Sequence, residues 1–217
     1  MRRFLCLVLL SGSLAQAASK PHVVVFGKPV PVKLFVGPAE DKSLDITVRP
    51  LFVDNKLREF TTGEAHDVTD RLFVVRRAFR VNDRLPEDVK NARWRWQRGN
   101  WLLVDRDTGR VSELKLPDFD PFYSEVSWYR DYAAYCGNSD SGERVFAVVA
   151  QVGRKKPVIL KEIGAARQGD MPDSECAAPK WKRQPASATF LPKDRPELTF
   201  EIHGHATDVA GSDEEKP

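Results

Sequence analysis

The sequence predicts a mainly β protein: an antiparallel sandwich-like or partly open sheet domain, with at most one short helix near 86–92. Three observations carry this. Residues 72–81 alternate with a period of two: Phe73, Val75, Phe79 and Val81 fall on one face, and Leu72, Val74, Arg76, Ala78 and Arg80 on the other. That is strand spacing and not the 3.6 spacing of a helix. Residues 101–114 read as strand, tight turn with Gly109, and strand, which is a hairpin pattern. Residues 126–163 repeat that alternation of apolar runs and turn-forming residues.

Taken in order, residues 22–36 are β-branched and aromatic, broken by Gly27, Pro29 and Pro31. Two short strands around a turn are expected there. Leu44 to Val53 is a further strand, closed by the turn formers Asp54 and Asn55. Glu64 to Arg71 is expected to be a polar loop leading into the strand at Leu72. Pro86 followed by Glu87 and Asp88 marks a helix start. The same stretch is the expected boundary if the chain forms two lobes. Val126 to Cys136 is expected as one strand, with further strands at 144–151 and 158–163. Residues 164–187 lack periodicity and are expected to form a long loop, before a last strand at 199–203.

The two ends are of different character. Met1, Arg2 and Arg3 precede an apolar run from Phe4 to Leu10, and then the small-x-small triplet Ala15-Gln16-Ala17. This is the pattern of a secretory signal peptide, residues 1–17. The run is too short to span a bilayer. Cleavage there leaves 200 residues, 18–217, and removes two arginines, so 34 basic residues fall to 32 against 31 acidic ones. A net charge of +1 exerts no global pull on nucleic acid or anionic lipid. The mature chain is expected to be one β-rich domain over 18–209, followed by a flexible acidic tail, 210–217. Cleavage also removes Cys6, leaving Cys136 and Cys176. Two cysteines in an oxidising compartment are expected to pair as a structural disulfide.

Candidate sites are few. His203 and His205 lie two apart, so in a strand both imidazoles face the same way and could share a divalent metal, with Asp208 as a third ligand and His66 as a more distant one. Spacing such as H-E-x-x-H is missing, so the cofactor expected is none, with a divalent metal as the alternative. Asp105, Asp107 and Gly109 resemble the start of a calcium loop, but Arg110 stands where that loop needs glycine, so a hairpin turn is expected. His66, beside Asp67, has the chemistry of a general base, although local turn formation explains the same residues. Trp94 and Trp96 alternate with Arg93, Arg95 and Arg98, and Trp181 lies between Lys180 and Lys182. A nucleic-acid platform has this composition, but export and near-neutrality oppose it. A glycan-binding aromatic face at Trp94 and Trp96 is the better functional alternative.

Residues 127–136 and 144–151, joined by the turn Gly137-Asn138-Ser139-Asp140-Ser141-Gly142, resemble a β-propeller blade, and the 101–114 hairpin resembles the middle of another. Together the likeness covers residues 100–163. A closed propeller needs at least four blades of about 40 residues each, and this chain has room for two or three. The whole chain also resembles exported bacterial proteins of unassigned activity, which implies a compartment and no chemistry. The function expected is therefore a non-enzymatic exported binding or scaffold domain at the cell envelope, with an envelope protein or a glycan as partner. The alternatives are a metal-dependent hydrolase using the C-terminal His pair and a glycan-binding module.

Overall fold

The computed structural model of the protein describes residues 21–35, 43–82, 94–139, 141–166 and 176–203. Among them the regular elements are all strands. The mainly β, antiparallel expectation holds. The signal segment, the 86–92 helix and the acidic tail lie outside the described residues. No helix among the described residues is long and apolar enough to cross a membrane.

The first sheet is built from β1 (Val24–Phe26), β2 (Val30–Phe35), β3 (Ser43–Val53), β4 (Lys56–Asp67), β5 (Leu72–Asn82), β6 (Trp94–Asp105) and β7 (Val111–Leu114). The break at Gly27–Pro29 does not reverse the chain as the sequence suggested. β1 pairs with residues 51–53 of β3, and β2 pairs with residues 43–48 of the same strand. The two are successive stretches along one edge. The prolines interrupt the ladder because they lack an N–H, and Gly27 bridges the gap by donating its N–H to the Pro50 carbonyl, 2.7 Å. Asp54 and Asn55 both take left-handed backbone, φ 51° and 62°, and turn β3 tightly into β4.

β4 itself was not legible. Its sequence is polar, and its alternation is broken where Thr62 pairs with Arg76 but His66 with Val74. Three residues, Gly63 to Ala65, therefore lie opposite Val75 alone. This bulge needs the left-handed φ of 72° at Gly63. A second bulge interrupts β6, where Gly99 and Asn100 lie opposite Arg77.

Strand neighbours run β3, β2, β6, β5, β4 and back to β3, so the sheet closes on itself. The closing pair is parallel and joins Leu34 to Trp96. Leu51, Phe73, Val75, Leu102 and Val104 fill the ring, with Val24, Phe26 and Val111 packed against them. β5 and β6 flank the expected lobe boundary at 86–92, yet they are hydrogen-bonded neighbours in this sheet. The chain passes to the second sheet between Leu114 and Ser127.

The second sheet has the order β11-β10-β9-β8, with β8 (Ser127–Tyr129), β9 (Tyr132–Asn138), β10 (Arg144–Gln151) and β11 (Ile159–Ala165). The single strand expected over 126–136 is thus two, reversed at Arg130 and Asp131. The turn lacks glycine, and Arg130 takes a φ of 52°. Tertiary bonds hold it instead: the Asp131 carboxylate accepts from Gln151 Nε2, and its carbonyl from Val152 N–H.

A third sheet, β12 (Cys176–Lys182), β13 (Ser187–Pro192) and β14 (Leu198–Glu201), replaces part of the loop expected over 164–187. The register of β12 shifts between Ala177 and Lys180, which erases any period of two in its sequence. Tyr132, Ala134, Cys136, Val145, Ala147 and Val149 of the second sheet pack on Cys176, Ala188 and Phe190 of the third. The opposite face of β9 and β10 is also covered, by Leu116, Phe119, Val126 and Trp128. An antiparallel sheet commonly leaves one face to water; this one is buried on both. Cys136 and Cys176 form the expected disulfide, with Cα atoms 6.0 Å apart.

Candidate functional site

The two bulges place a cleft on the outside of the ring, where the segment after β7 crosses it. The row Thr62, Arg76 and Trp101 runs across β4, β5 and β6. Arg76 stands among apolar neighbours on β5 and is only 8 % exposed. Its Nη2 donates to the Pro121 carbonyl, 2.6 Å. Its guanidinium lies 4.7 Å from the Phe119 ring centre and 5.8 Å from that of Trp101. These contacts dock the crossing segment onto the ring. Burial pushes the Arg76 pKa down to about 10, against an opposing contribution from Glu125. The side chain is still charged at neutral pH.

Those contacts leave donors over. Arg76 Nε is buried with no hydrogen-bond acceptor among the described residues, and so are Trp101 Nε1 and Trp128 Nε1. The two indoles meet edge to face at 5.1 Å. A buried donor left unpaired costs about 1–3 kcal/mol, and of these three residues Arg76 and Trp101 line the cleft. The cleft has a volume of about 200 Å³, and its walls include Gly63, Glu64, Arg76, Arg98, Trp101 and Glu125. This is below the roughly 300–1,000 Å³ of pockets for drug-sized ligands. Arg98 Nη1 and Glu125 Oε1 pair at 2.9 Å across the mouth. Glu64, exposed on the β4 bulge, has no ionic partner among the described residues.

The residues singled out in the sequence lie elsewhere or play other parts. His66 closes β4, stacks on Trp128 at 5.7 Å and bonds through Nε2 to the Arg130 carbonyl, 2.7 Å. A carbonyl only accepts, so Nε2 carries the proton. His66 thus supports the tryptophan beside the cleft. His203 is exposed, 3.9 Å from the Glu201 carboxylate, while His205 and Asp208 lie outside the described residues. Among the described residues no three His, Cys, Asp or Glu side chains gather as a metal site. Asp105 forms the expected turn, its Oδ1 accepting from the N–H groups of Asp107 and Thr108. Its hydrogen bonds to Arg71 hold its carboxyl well below the usual range.

Trp94 is 58 % exposed, and Trp96 packs edge-on against Phe60 at 5.3 Å. The Arg80 guanidinium lies 5.7 and 5.3 Å from the two ring centres. Trp181 rests on Tyr129 at 5.4 Å and donates to the Ser127 carbonyl, so it is a packing residue.

Arg76 escaped the sequence reading as a site residue. The one available signal was an arginine flanked by Val74 and Ala78 on its face of the strand. Comparison with family models, curated proteins and solved structures finds no match to this chain.

Proposed function

We propose that the chain is a non-enzymatic exported domain of the cell envelope that binds a small polar ligand in the cleft beside Arg76. The observation that carries this reading is a buried guanidinium with an unused N–H, lining an open cleft together with Trp101, whose indole N–H is also unpaired among the described residues. Export is supported by the signal-peptide pattern at residues 1–17 and by the pairing of Cys136 with Cys176. Binding without turnover is the reading taken because the cleft's described lining offers hydrogen-bond donors and an Arg98–Glu125 ion pair and, among the described residues, no nucleophile paired with a base.

The test is proton–nitrogen NMR of the mature protein, following the Trp101 indole N–H while small polar compounds are added. Saturable movement of that resonance supports the reading. Compounds that bind only elsewhere on the surface would overturn it. Specific turnover abolished by changing one polar residue would overturn the non-enzymatic part.

The exposure of Trp94 beside Trp96 and Arg80 favours a second reading, a glycan-binding face, since an aromatic ring can stack on a sugar ring. Pull-down on insoluble glycan, lost in Trp94→Ala, supports it. No retention of the native protein would end it.

A further inference from the structure

We infer that the cleft takes a small zwitterion of the free amino-acid type, with its carboxylate inward on Arg76 and its ammonium outward towards Glu64; this deepens the binding function proposed above and rests on it. Four charged side chains line the cleft, two of each sign. Arg98 and Glu125 neutralise each other at 2.9 Å. That leaves one cation, Arg76, 8 % exposed, and one anion, Glu64, exposed on the bulge. The positive end of the site is deep and the negative end is at the rim.

A carboxylate suits the inner end. The guanidinium is planar and presents its donors as a fork that matches two carboxylate oxygens. Nη2 is engaged with Pro121 O, but Nε–H is unused, and the Trp101 indole that also lines the cleft is a donor only. A doubly charged phosphate fits less well, because its second negative charge meets no further uncompensated cation and faces Glu64 at the rim. A ligand that is only anionic leaves Glu64 without a counter-charge. A ligand that is only cationic leaves Arg76 Nε unpaired. A zwitterion of a few heavy atoms satisfies both within about 200 Å³.

The experiment is calorimetric and NMR titration of the mature protein with glycine, acetate, ethylammonium and inorganic phosphate. Glycine is expected to saturate the site and to move the Arg76 Nε–H and Trp101 indole resonances. Acetate is expected to bind at least tenfold more weakly, and ethylammonium and phosphate not to bind there. Glu64→Gln, an exposed position that leaves the fold alone, is expected to weaken glycine about tenfold and leave acetate unchanged. Arg76→Met is expected to abolish both.

Equal binding of glycine and acetate, unchanged in Glu64→Gln, would overturn the zwitterion assignment and leave the cleft reading intact. Saturation by phosphate alone would do the same. Movement of neither resonance with any of the four probes would overturn this assignment, while a saturable Trp101 shift with another small polar compound would still keep the cleft reading.

Discussion

Breaking the Cys136–Cys176 cross-link should cost about 4 kcal/mol. The bridge closes a 40-residue separation. Loop-closure entropy for that length is about 13 cal/mol/K, hence about 4 kcal/mol at 25 °C. The Cα separation of 6.0 Å lies in the ordinary range for a bridged pair, so the geometry gives no reason to subtract strain. With a urea slope of roughly 2 kcal/mol/M, the unfolding midpoint should fall by about 2 M. The comparison is between oxidised native protein and the Cys136→Ala/Cys176→Ala variant, because both positions are buried and serine would leave hydroxyls inside. Reduced native protein serves as the control, since it loses the cross-link and keeps both sulfurs. Far-ultraviolet dichroism and tryptophan fluorescence should report the same midpoint. A loss under about 1 kcal/mol in both reduced and alanine forms would refute the reasoning. It would mean that packing of Phe190 and its neighbours, and not the cross-link, ties the third sheet to the second.

Three further outcomes are expected. Tyr135→Phe should cost about 1–2 kcal/mol in chemical denaturation, because the buried hydroxyl donates to the Pro117 carbonyl at 2.5 Å and that acceptor is then left unpaired. Burial raises the Tyr135 pKa above its ordinary value of about 10. Its contribution to stability is therefore intact below pH 10 and lost progressively above it, where the unfolded chain ionises first; denaturation midpoints at pH 9, 10 and 11 should fall in that order, and Tyr135→Phe should flatten the fall. Gly109→Ala should lower the melting temperature by about 6 °C: left-handed backbone costs a side chain about 1–2 kcal/mol, and the added methyl would stand 2.7 Å from Val53 Cγ1. A melting point within 1 °C of native would show that this turn relaxes freely.

What was legible in the sequence followed local rules. The Asp54-Asn55 turn, the 101–114 hairpin and the alternation of β5 all rest on neighbouring residues, and all appear as expected. β4 and β12 were missed because bulges shift their register mid-strand, so neither keeps a period of two. The turn at Arg130 and Asp131 was missed because its partners, Gln151 and Val152, lie some 20 residues on. The disulfide was legible from compartment and count. The cleft was not, since it arises where a segment at 117–126 crosses a face whose burial the sequence does not announce. Arg76 is covered by that crossing through Pro121 and Phe119, which turns an arginine on a strand into a charge beneath aromatic rings. Trp101 and Trp128 are 27 residues apart, and no spacing rule joins them.

The parallel seam between Leu34 and Trp96 also bears on the order of assembly. A chain made from its N-terminus delivers β2 early, yet its parallel partner β6 arrives only some 60 residues later. β3, β4 and β5 can pair with sequence neighbours as they emerge, while one edge of β2 waits. Distant pairing of this kind is slow because the loop must be closed before contact rewards it. The ring is therefore finished last at its seam, and for that interval β2 offers an open edge to whatever chaperone or neighbouring chain is present.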